Sequence, residues 1–499
     1  MKTKIHAALK QRLSETSAKP NRQKFHLMAD IGWISDPNGL CQHDGIYHIC
    51  HQYTPAADLG LSKSWGHYTT KDWIHYVDQG TLMVPDTPID QDGCYSGSAF
   101  SYQGQMHIFY TGNILEPGDH DYIYNGRGHY TNHLVSSDGL HFSPKEVLLK
   151  NEDYPSNMSC HVRDPKLTMV DGLPYLVLGA RTKDDVGCAL LYQADPNDLT
   201  KLRYVQTIST PQKFGYMWEC PGLIEIDHHL FLLACPQGVN QHGYQYENVY
   251  QNGVFTLAPD QNGKLEAKDF QELDLGFDFY APQTFIDQSG REILIGWMGI
   301  PDADYQNLEQ EEGWIHCLTL PRELRFKEGR IYQYPLAELQ ALQEAKQAIM
   351  IGPERMKLDT RTFVLNVKTE NKPFELTIRH DLRLSYNGWL FTLAFMNPNG
   401  SGYGRQARHV ELDHLEELEI FSDESSIEIF LNHGEFVFST RIYDQNLAIA
   451  LQADRPLTAS MAQMKAIEID YTPALENPKP NLLVQPGFKP KPASLQKPL

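Results

Sequence analysis

The stretch Asp36-Pro-Asn-Gly-Leu-Cys-Gln-His-Asp-Gly-Ile-Tyr-His-Ile-Cys50 reads as a turn-marked start, a strand, a tight Asp-Gly turn and an aromatic-bearing return strand. Four later stretches repeat that order: Ser96 to Tyr110, Asp164 to Leu178, Glu219 to Leu233 and Ala281 to Ile295. A repeat of roughly 60 residues built from short strands marks a propeller, whose small sheets pack radially around one channel. Equivalent positions in successive blades then face one axis. Three of the five copies open on an acid, Asp36, Asp164 and Glu219. Three carboxyl groups far apart in sequence are therefore expected at the same blade position, converging on one small site.

Working outward, Asp44-Gly45, Gln103-Gly104, Asp171-Gly172 and Ser289-Gly290 each separate alternating apolar runs, the strongest short-range hairpin signal. Residues 1–24 read as a leader with a short helix, Ile5, Leu9 and Leu13 falling at helical spacing. Residues 25–334 read as the propeller. Residues 335–352, rich in Leu, Ala, Glu and Gln, predict a linker helix. Residues 353–473 carry strands in which apolar and polar residues alternate, such as Phe374 to Ile378 and Ile427 to Leu431, as in a β-sandwich. Residues 474–499 are the tail, Pro- and Lys-rich from Asn477 onward, where it is expected to be an extended strap or disordered. The fold class is all-β.

The chain has 499 residues and a net charge of −20, which repels nucleic acid and anionic membrane surfaces. Its first residues are too polar for a signal peptide, and no apolar run approaches the ~20 residues that span a bilayer. Eight cysteines lie scattered with no CxxC pair, which suits buried thiols in a reducing compartment. The expected location is the cytoplasm. Oligomeric state is not legible.

Cleavage of a glycosidic bond needs one carboxylic acid to protonate the leaving oxygen and one carboxylate to attack or to activate water. Asp36, in Gly32-Trp-Ile-Ser-Asp-Pro-Asn-Gly39, is pinned by the following Pro and Gly, and Trp33 offers a stacking face. Taken alone, Asp36 could equally bond its own turn. Glu219 lies among Tyr216, Met217, Trp218 and Cys220 with no cation beside it in sequence; an apolar setting raises a carboxyl pKa, as a general acid requires. Asp164 follows Arg163, ordinarily a surface ion pair before a turn. The three together make the bland readings hard to sustain. His43, His48 and His51 suit structural roles better than a metal site, and no phosphate-binding glycine loop or Gly-x-Ser-x-Gly elbow occurs.

At these residues the chain resembles glycoside hydrolase family 32, the β-fructofuranosidases. The motifs are Trp33 to Gly39, Arg163-Asp-Pro165 and Glu219-Cys-Pro221, supported by Gln52-Tyr53, Trp65-Gly-His67 and Tyr95-Ser-Gly-Ser98. Phe279-Tyr-Ala-Pro-Gln283, Gly296-Trp-Met-Gly299, Leu318 to Leu324 and, in the second domain, Ser425 to Leu431 complete the set. The resemblance implies a five-bladed β-propeller followed by a β-sandwich. It implies Asp36 as nucleophile, Glu219 as acid/base and Asp164 as the holder of fructosyl hydroxyls; Arg163, next to Asp164 in the chain, is expected to orient it and keep it ionised by its opposite charge. It further implies substrate contacts from Trp33, Ser35, Asn38, Gln52, Trp65, Tyr95, Ser96, Arg163 and Trp297, and no metal or organic cofactor. The expected reaction is retaining hydrolysis of sucrose or sucrose 6-phosphate.

Departures fall on the substrate side. Ser35 stands where the family has Asn, Cys50-His51 where it often has Phe-Tyr, and the 54–64 loop lacks an aromatic before Trp65. A phosphate pocket would draw on Lys63, His51, His67 or Arg181. Exo-hydrolysis of short fructans, fructosyl transfer, an inverting relative and a non-catalytic sugar-binding propeller are the alternatives.

Overall fold

The computed structural model describes residues 19–55, 63–397, 399–444 and 449–476. Three of the expected hairpin turns have both central residues at positive φ: Asp44 48° and Gly45 77°, Gln103 51° and Gly104 75°, Asp171 49° and Gly172 72°. This backbone twist matches that of the flanking strands. The fourth repeat turns the same way without glycine, at Asp227 (50°) and His228 (62°). The fifth differs: only Gly290 is left-handed (84°), and its N–H donates to Asp287 O at 2.9 Å.

Each repeat supplies the two leading strands of an antiparallel blade. Blade one runs Gly32–His43, Ile46–Thr54, Ser64–Thr70, His75–Met83; blade two Cys94–Tyr102, Gln105–Leu115, Arg127–Ser136, Glu146–Leu149. Blade three runs Met158–Val170, Leu173–Thr182, Gly187–Asp195, Asp198–Ile208; blade four Met217–Ile226, His229–Gln237, Gly253–Pro259, Leu265–Glu272. Blade five is Tyr280–Ile286, Glu292–Met298, Arg322–Lys327 and Arg330–Pro335. The ring closes when Trp314–Ile315, from within blade five, pairs in parallel with Gly32 and Trp33 of blade one.

The leading strand of every blade breaks register beside its motif: between Ile34 and Pro37, Tyr95 and Gly97, Arg163 and Lys166, Glu219 and Gly222, Tyr280 and Gln283. Asp164 (φ 60°), Cys220 (47°) and Ala281 (47°) are the left-handed residues of three of these bulges, and each precedes a proline. Proline has no N–H to give to the ladder, so it sits at a bulge without losing a bond. The expectation that all three acids share one blade position is corrected here. Asp164 is equivalent to Cys220 and Ala281, whereas Glu219 stands one residue earlier, level with Tyr95, Arg163 and Tyr280.

The 335–352 stretch is not a helix throughout. Ala337–Leu342 forms a short 3-10 segment whose Leu339 and Leu342 are buried, and Gln347–Ile351 pairs with Leu457–Gln463 as an edge strand of the second domain. Cross-strand pairing there overrides helix propensity. The second domain is two six-stranded sheets. Its core is the inward residues of both, among them Phe363, Leu365, Leu376, Leu384, Phe391, Ile420, Ile429 and Phe438. Within 353–473, Glu468–Asp470 leaves the sandwich and pairs in parallel with His75–Val77 on the edge of blade one. Most of the expected leader, and the tail from 477, lie outside the described residues. All eight cysteines are buried and none is in a disulfide. No described helix is long and apolar enough to cross a membrane.

The two domains share an apolar cluster in which Val364, Phe421, Phe430 and Val437 of the sandwich meet Ile34, Ile49, Ile295 and Leu320 of the propeller. Beside it lie buried charges. Arg322 of blade five donates to Glu428 Oε2 from Nε (3.1 Å) and Nη2 (2.6 Å), and from Nη1 to Asp274 (3.1 Å) and Gln333 (2.8 Å). His26 bridges Asp423 (2.8 Å) and Glu428 (2.9 Å). Burial works against charge on His26, but the bonds to both carboxylates outweigh it and hold its pKa above the ordinary imidazole value. Arg322→Met leaves Glu428 and Asp274 buried without their cation, so urea denaturation should register a loss of about 3–5 kcal/mol. Adding Glu428→Gln to that variant should recover part of the loss.

Candidate active site

The bulges of blades one, three, four and five bring Ser35 and Asp36, Arg163, Glu219 and Tyr280 to a common cavity of about 260 Å³. Asp36, Glu219, Arg163, Trp33, Ser35, Trp297, Lys63, Arg181, Tyr216, Gln237 and Tyr280 border it. Trp33 is 40% exposed and sits 6.5 Å from the Trp297 ring, so two indoles form one apolar wall. Asp164, 3% exposed, is not among the bordering residues and lies buried beside Arg163 and Cys220.

Asp36 accepts a 2.5 Å hydrogen bond from the Ser96 hydroxyl. Burial raises its pKa; the Ser96 bond and the Lys63 charge oppose this, and the Glu219 charge adds to it. Ser96 is itself fixed by blade one. Gln52 Nε2 donates to Cys94 O at 2.9 Å, Trp65 Nε1 to Tyr95 O at 3.1 Å, and Gly97 N donates to Asn38 Oδ1 at 3.2 Å. Gly97 must be glycine, because a Cβ there would meet Phe109 O at 2.0 Å. Asn38, Gln52 and Trp65 are thus buried supports that bracket Ser96 and do not border the open cavity. Tyr95 and Ser96 likewise stand behind it.

Glu219 is the most heavily bonded of the acids. Arg163 donates to its Oε1 from Nη2 (2.5 Å) and Nε (3.2 Å), while Gln237 Nε2 and the Tyr280 hydroxyl each donate to Oε2 at 2.7 Å. This corrects the expectation of an apolar setting and a raised pKa. Burial does push Glu219 up, but the Arg163 charge and its hydrogen bonds, the Tyr280 bond and Lys63 outweigh it, and the carboxyl is held below its usual value. Of the apolar neighbours in sequence, the Trp218 side chain is buried elsewhere, against Phe255, whereas Cys220 packs beside Tyr280 and Trp297.

Arg163 was expected to serve Asp164; its close contact is with Glu219, and its Nε lies 3.9 Å from Asp164 Oδ2. Asp164 accepts from Cys220 N at 2.9 Å, and its own N–H donates to Thr111 Oγ1 at 2.9 Å. Burial drives its pKa up to about 7, Arg163 opposing and the Glu219 charge reinforcing the rise. Cys220 ties the acids together: its N–H holds Asp164, its Sγ lies 4.0 Å from Asp36, and it follows Glu219 in the chain. Of the suggested phosphate contacts, Lys63 and Arg181 border the cavity. His51 and His67 do not. His67 bonds His48 at 2.9 Å, and burial pushes the His51 pKa down to about 3, so it is neutral.

Sequence reasoning missed Tyr280 and Gln237 as partners of Glu219. Tyr280 had a signal, since Tyr280-Ala-Pro repeats the arrangement of Glu219-Cys-Pro one blade on. Gln237, at the far end of the second strand of blade four, had none.

A five-bladed propeller whose Asp36 and Glu219 carboxyls face a tryptophan-walled cavity, with Asp164 buried beside them, has the arrangement of a glycoside hydrolase. The chain belongs to glycosyl hydrolases family 32, retaining hydrolases that act on β-fructofuranosides: residues 26–335 match the family's N-terminal domain and 338–467 its C-terminal domain. It is 37% identical over 442 residues to a sucrose-6-phosphate hydrolase of Bacillus subtilis, covering 86% of this chain and 90% of that one. The structure of a sucrose-6-phosphate hydrolase from Lactobacillus gasseri superposes with a TM-score of 0.81 at 27% identity, covering 92% of this chain and 96% of the other. A variant of a Bombyx mori family 32 β-fructofuranosidase in complex with sucrose has a TM-score of 0.76 at 26% identity, covering 93% and 99%.

The raised Asp164 carboxyl has a consequence for stability. Its folded pKa, about 7, exceeds the ordinary carboxyl value of 3.8, so the native state binds the extra proton and stability is lost as pH climbs through that window. Asp164→Asn carries no such charge. Its melting temperature should exceed that of the wild type at pH 8, with the gap closing toward pH 5 in a thermal-shift series.

Proposed function

We propose that the chain hydrolyses the β-fructofuranosidic bond of sucrose or sucrose 6-phosphate, with Asp36 as nucleophile, Glu219 as acid and base, and Asp164 as the group that holds fructosyl hydroxyls. The observation that supports this most directly is the gathering of the three carboxyl groups around one Cys220-centred node, with Arg163 closest to Glu219.

Asp36 attacks the fructosyl anomeric carbon while Glu219 gives its proton to the departing oxygen. Glu219, now a base, takes a proton from the water that cleaves the fructosyl ester. Its three donors suit both halves. Arg163, Gln237 and Tyr280 stabilise the carboxylate that forms as the leaving group departs, so proton transfer is downhill when the bond breaks. In the empty site the cluster's proton is held best by Asp164. Sugar hydroxyls that donate to Asp164 favour its ionised form, and the proton is then carried by Glu219. Substrate binding thus arms the acid. Carboxylate hydrogen bonds to the ring hydroxyls strengthen as positive charge develops on the sugar, which favours the transition state. The reducing character of eight buried thiols suits a cytoplasmic enzyme.

Incubation with sucrose in the presence of methanol tests the assignment: methyl β-fructofuranoside of retained configuration is the expected transfer product, and its α-anomer would overturn the reading. Asp36→Asn cannot form the ester and should lose at least about a thousandfold in kcat while folding normally, as followed by fructose release. Glu219→Gln should also be slow, but its defect should shrink for fructosides with activated leaving groups, and azide should restore part of that turnover. An equal defect for good and poor leaving groups would remove Glu219 as the acid.

A further inference from the structure

Three cations border the cavity among the described residues: Lys63, Arg163 and Arg181. Arg163 is committed to Glu219. The other two are not used by the chemistry above, and each is held in place. Lys63 precedes the third strand of blade one; its carbonyl accepts from Cys94 N at 3.0 Å, which docks it on blade two, and its ammonium sits 4.7 Å from the centre of the Tyr95 ring. No carboxylate among the described residues lies within ion-pairing distance of it. Arg181, near the end of the second strand of blade three, stacks on Tyr216 with its guanidinium carbon 4.7 Å from the ring centre. Its Nε and Nη2 are both 2.8 Å from Asp185 Oδ1, and Asp185 in turn accepts from the Tyr124 hydroxyl at 2.5 Å. A planar guanidinium fixed on one edge and stacked on one face is preorganised to give its remaining donors to an oxyanion.

The wall behind them holds a further cation without a carboxylate partner. Arg127 is buried, yet its bonds go to neutral acceptors, Tyr122 O at 3.0 Å and Asn113 Oδ1 at 3.3 Å, with no carboxylate in ion-pairing distance among the described residues. His129 and His161 beside it are neutral, burial and the neighbouring arginines pushing both well below the usual imidazole range. Burial raises the Tyr95 phenol, but Lys63, Arg127 and Arg163 outweigh it and draw its pKa below the ordinary value, as expected where positive charge exceeds negative. Burying cations without counter-ions is costly, and such a wall persists where a ligand supplies the missing negative charge.

We propose that Lys63 and Arg181 form an anion subsite beside the catalytic acids that takes a phosphate ester on the leaving sugar. The proposal rests on the β-fructofuranosidase reading and selects sucrose 6-phosphate over sucrose within it. Two cations are required because Asp36, Glu219 and Asp302 border the same space and repel a dianion. His51 and His67 take no part.

The test measures kcat/KM for sucrose 6-phosphate and for sucrose, and titrates glucose 6-phosphate and glucose calorimetrically, in the wild type, Lys63→Met, Arg181→Gln and the double variant. The wild type should favour each phosphate ester over its parent sugar by roughly tenfold or more, and each single substitution should cut that ratio several-fold. The double variant should bring it near unity. A wild type indifferent to the phosphate, or a ratio unmoved in a folded double variant, overturns the subsite. Glucose 6-phosphate preferred over glucose, with no fructose released from either disaccharide, would sink the hydrolase reading and leave the subsite standing.

Discussion

Three carboxyl groups crowd the axis of this propeller, and the Arg163 guanidinium is what lets them share it. Buried anions at short range repel strongly, and without a cation such a group would take up protons until little negative charge remained. Arg163 places its charge on one of them. Glu219 is held ionised by two guanidinium contacts, an amide and a phenol, while Asp164, only 3.9 Å from the same guanidinium but bonded to a single backbone N–H, is left as the site of the proton. The division of labour among chemically similar side chains is thus set by where one arginine points.

That arginine points correctly because of backbone geometry. A bulge in each leading strand inserts a residue beside the axis, and the left-handed residue in blades three to five is followed by proline. The bulge brings forward two successive side chains where an unbroken strand would send them to opposite faces. In blade three these are Arg163 and Asp164; in blade four, Glu219 and Cys220. Blade-one side chains then pin the backbone on either side of Ser96, so the donor to Asp36 is as rigid as the strands that carry it.

Among the described residues the sandwich contributes none to the cavity, but it is not a passive appendage. Its strand Ser426–Leu431 carries Glu428, which receives both Arg322 of blade five and His26 of the segment leading into blade one. The first and last blades are therefore tied through one buried carboxylate of the other domain. Trp314–Ile315, paired with Gly32 and Trp33, closes the same seam from the propeller side. Asp278 and Arg405 form a further buried pair across the domains at 2.7 Å.

The amino-acid sequence alone determined the repeat, the tight turns, the number of blades, the alternating strands of the second domain and the identity of the three acids. These are local properties: turn residues need particular φ values, and strands need period-two apolar faces. What it could not decide was anything set by contacts between blades. The one-residue offset of Glu219 from Asp164, the transfer of Arg163 from its neighbour in sequence to an acid 56 residues on, and the Tyr280 and Gln237 bonds all arise where bulged strands meet. So does the pairing of Gln347–Ile351, whose composition favours helix but whose backbone donors and acceptors are satisfied by a strand more than a hundred residues later. Charge state follows the same division. A carboxyl's neighbours in sequence suggested that Glu219 would be raised and Asp164 lowered; its neighbours in space reversed both, because electrostatic energy depends on distance through the fold and not on position along the chain.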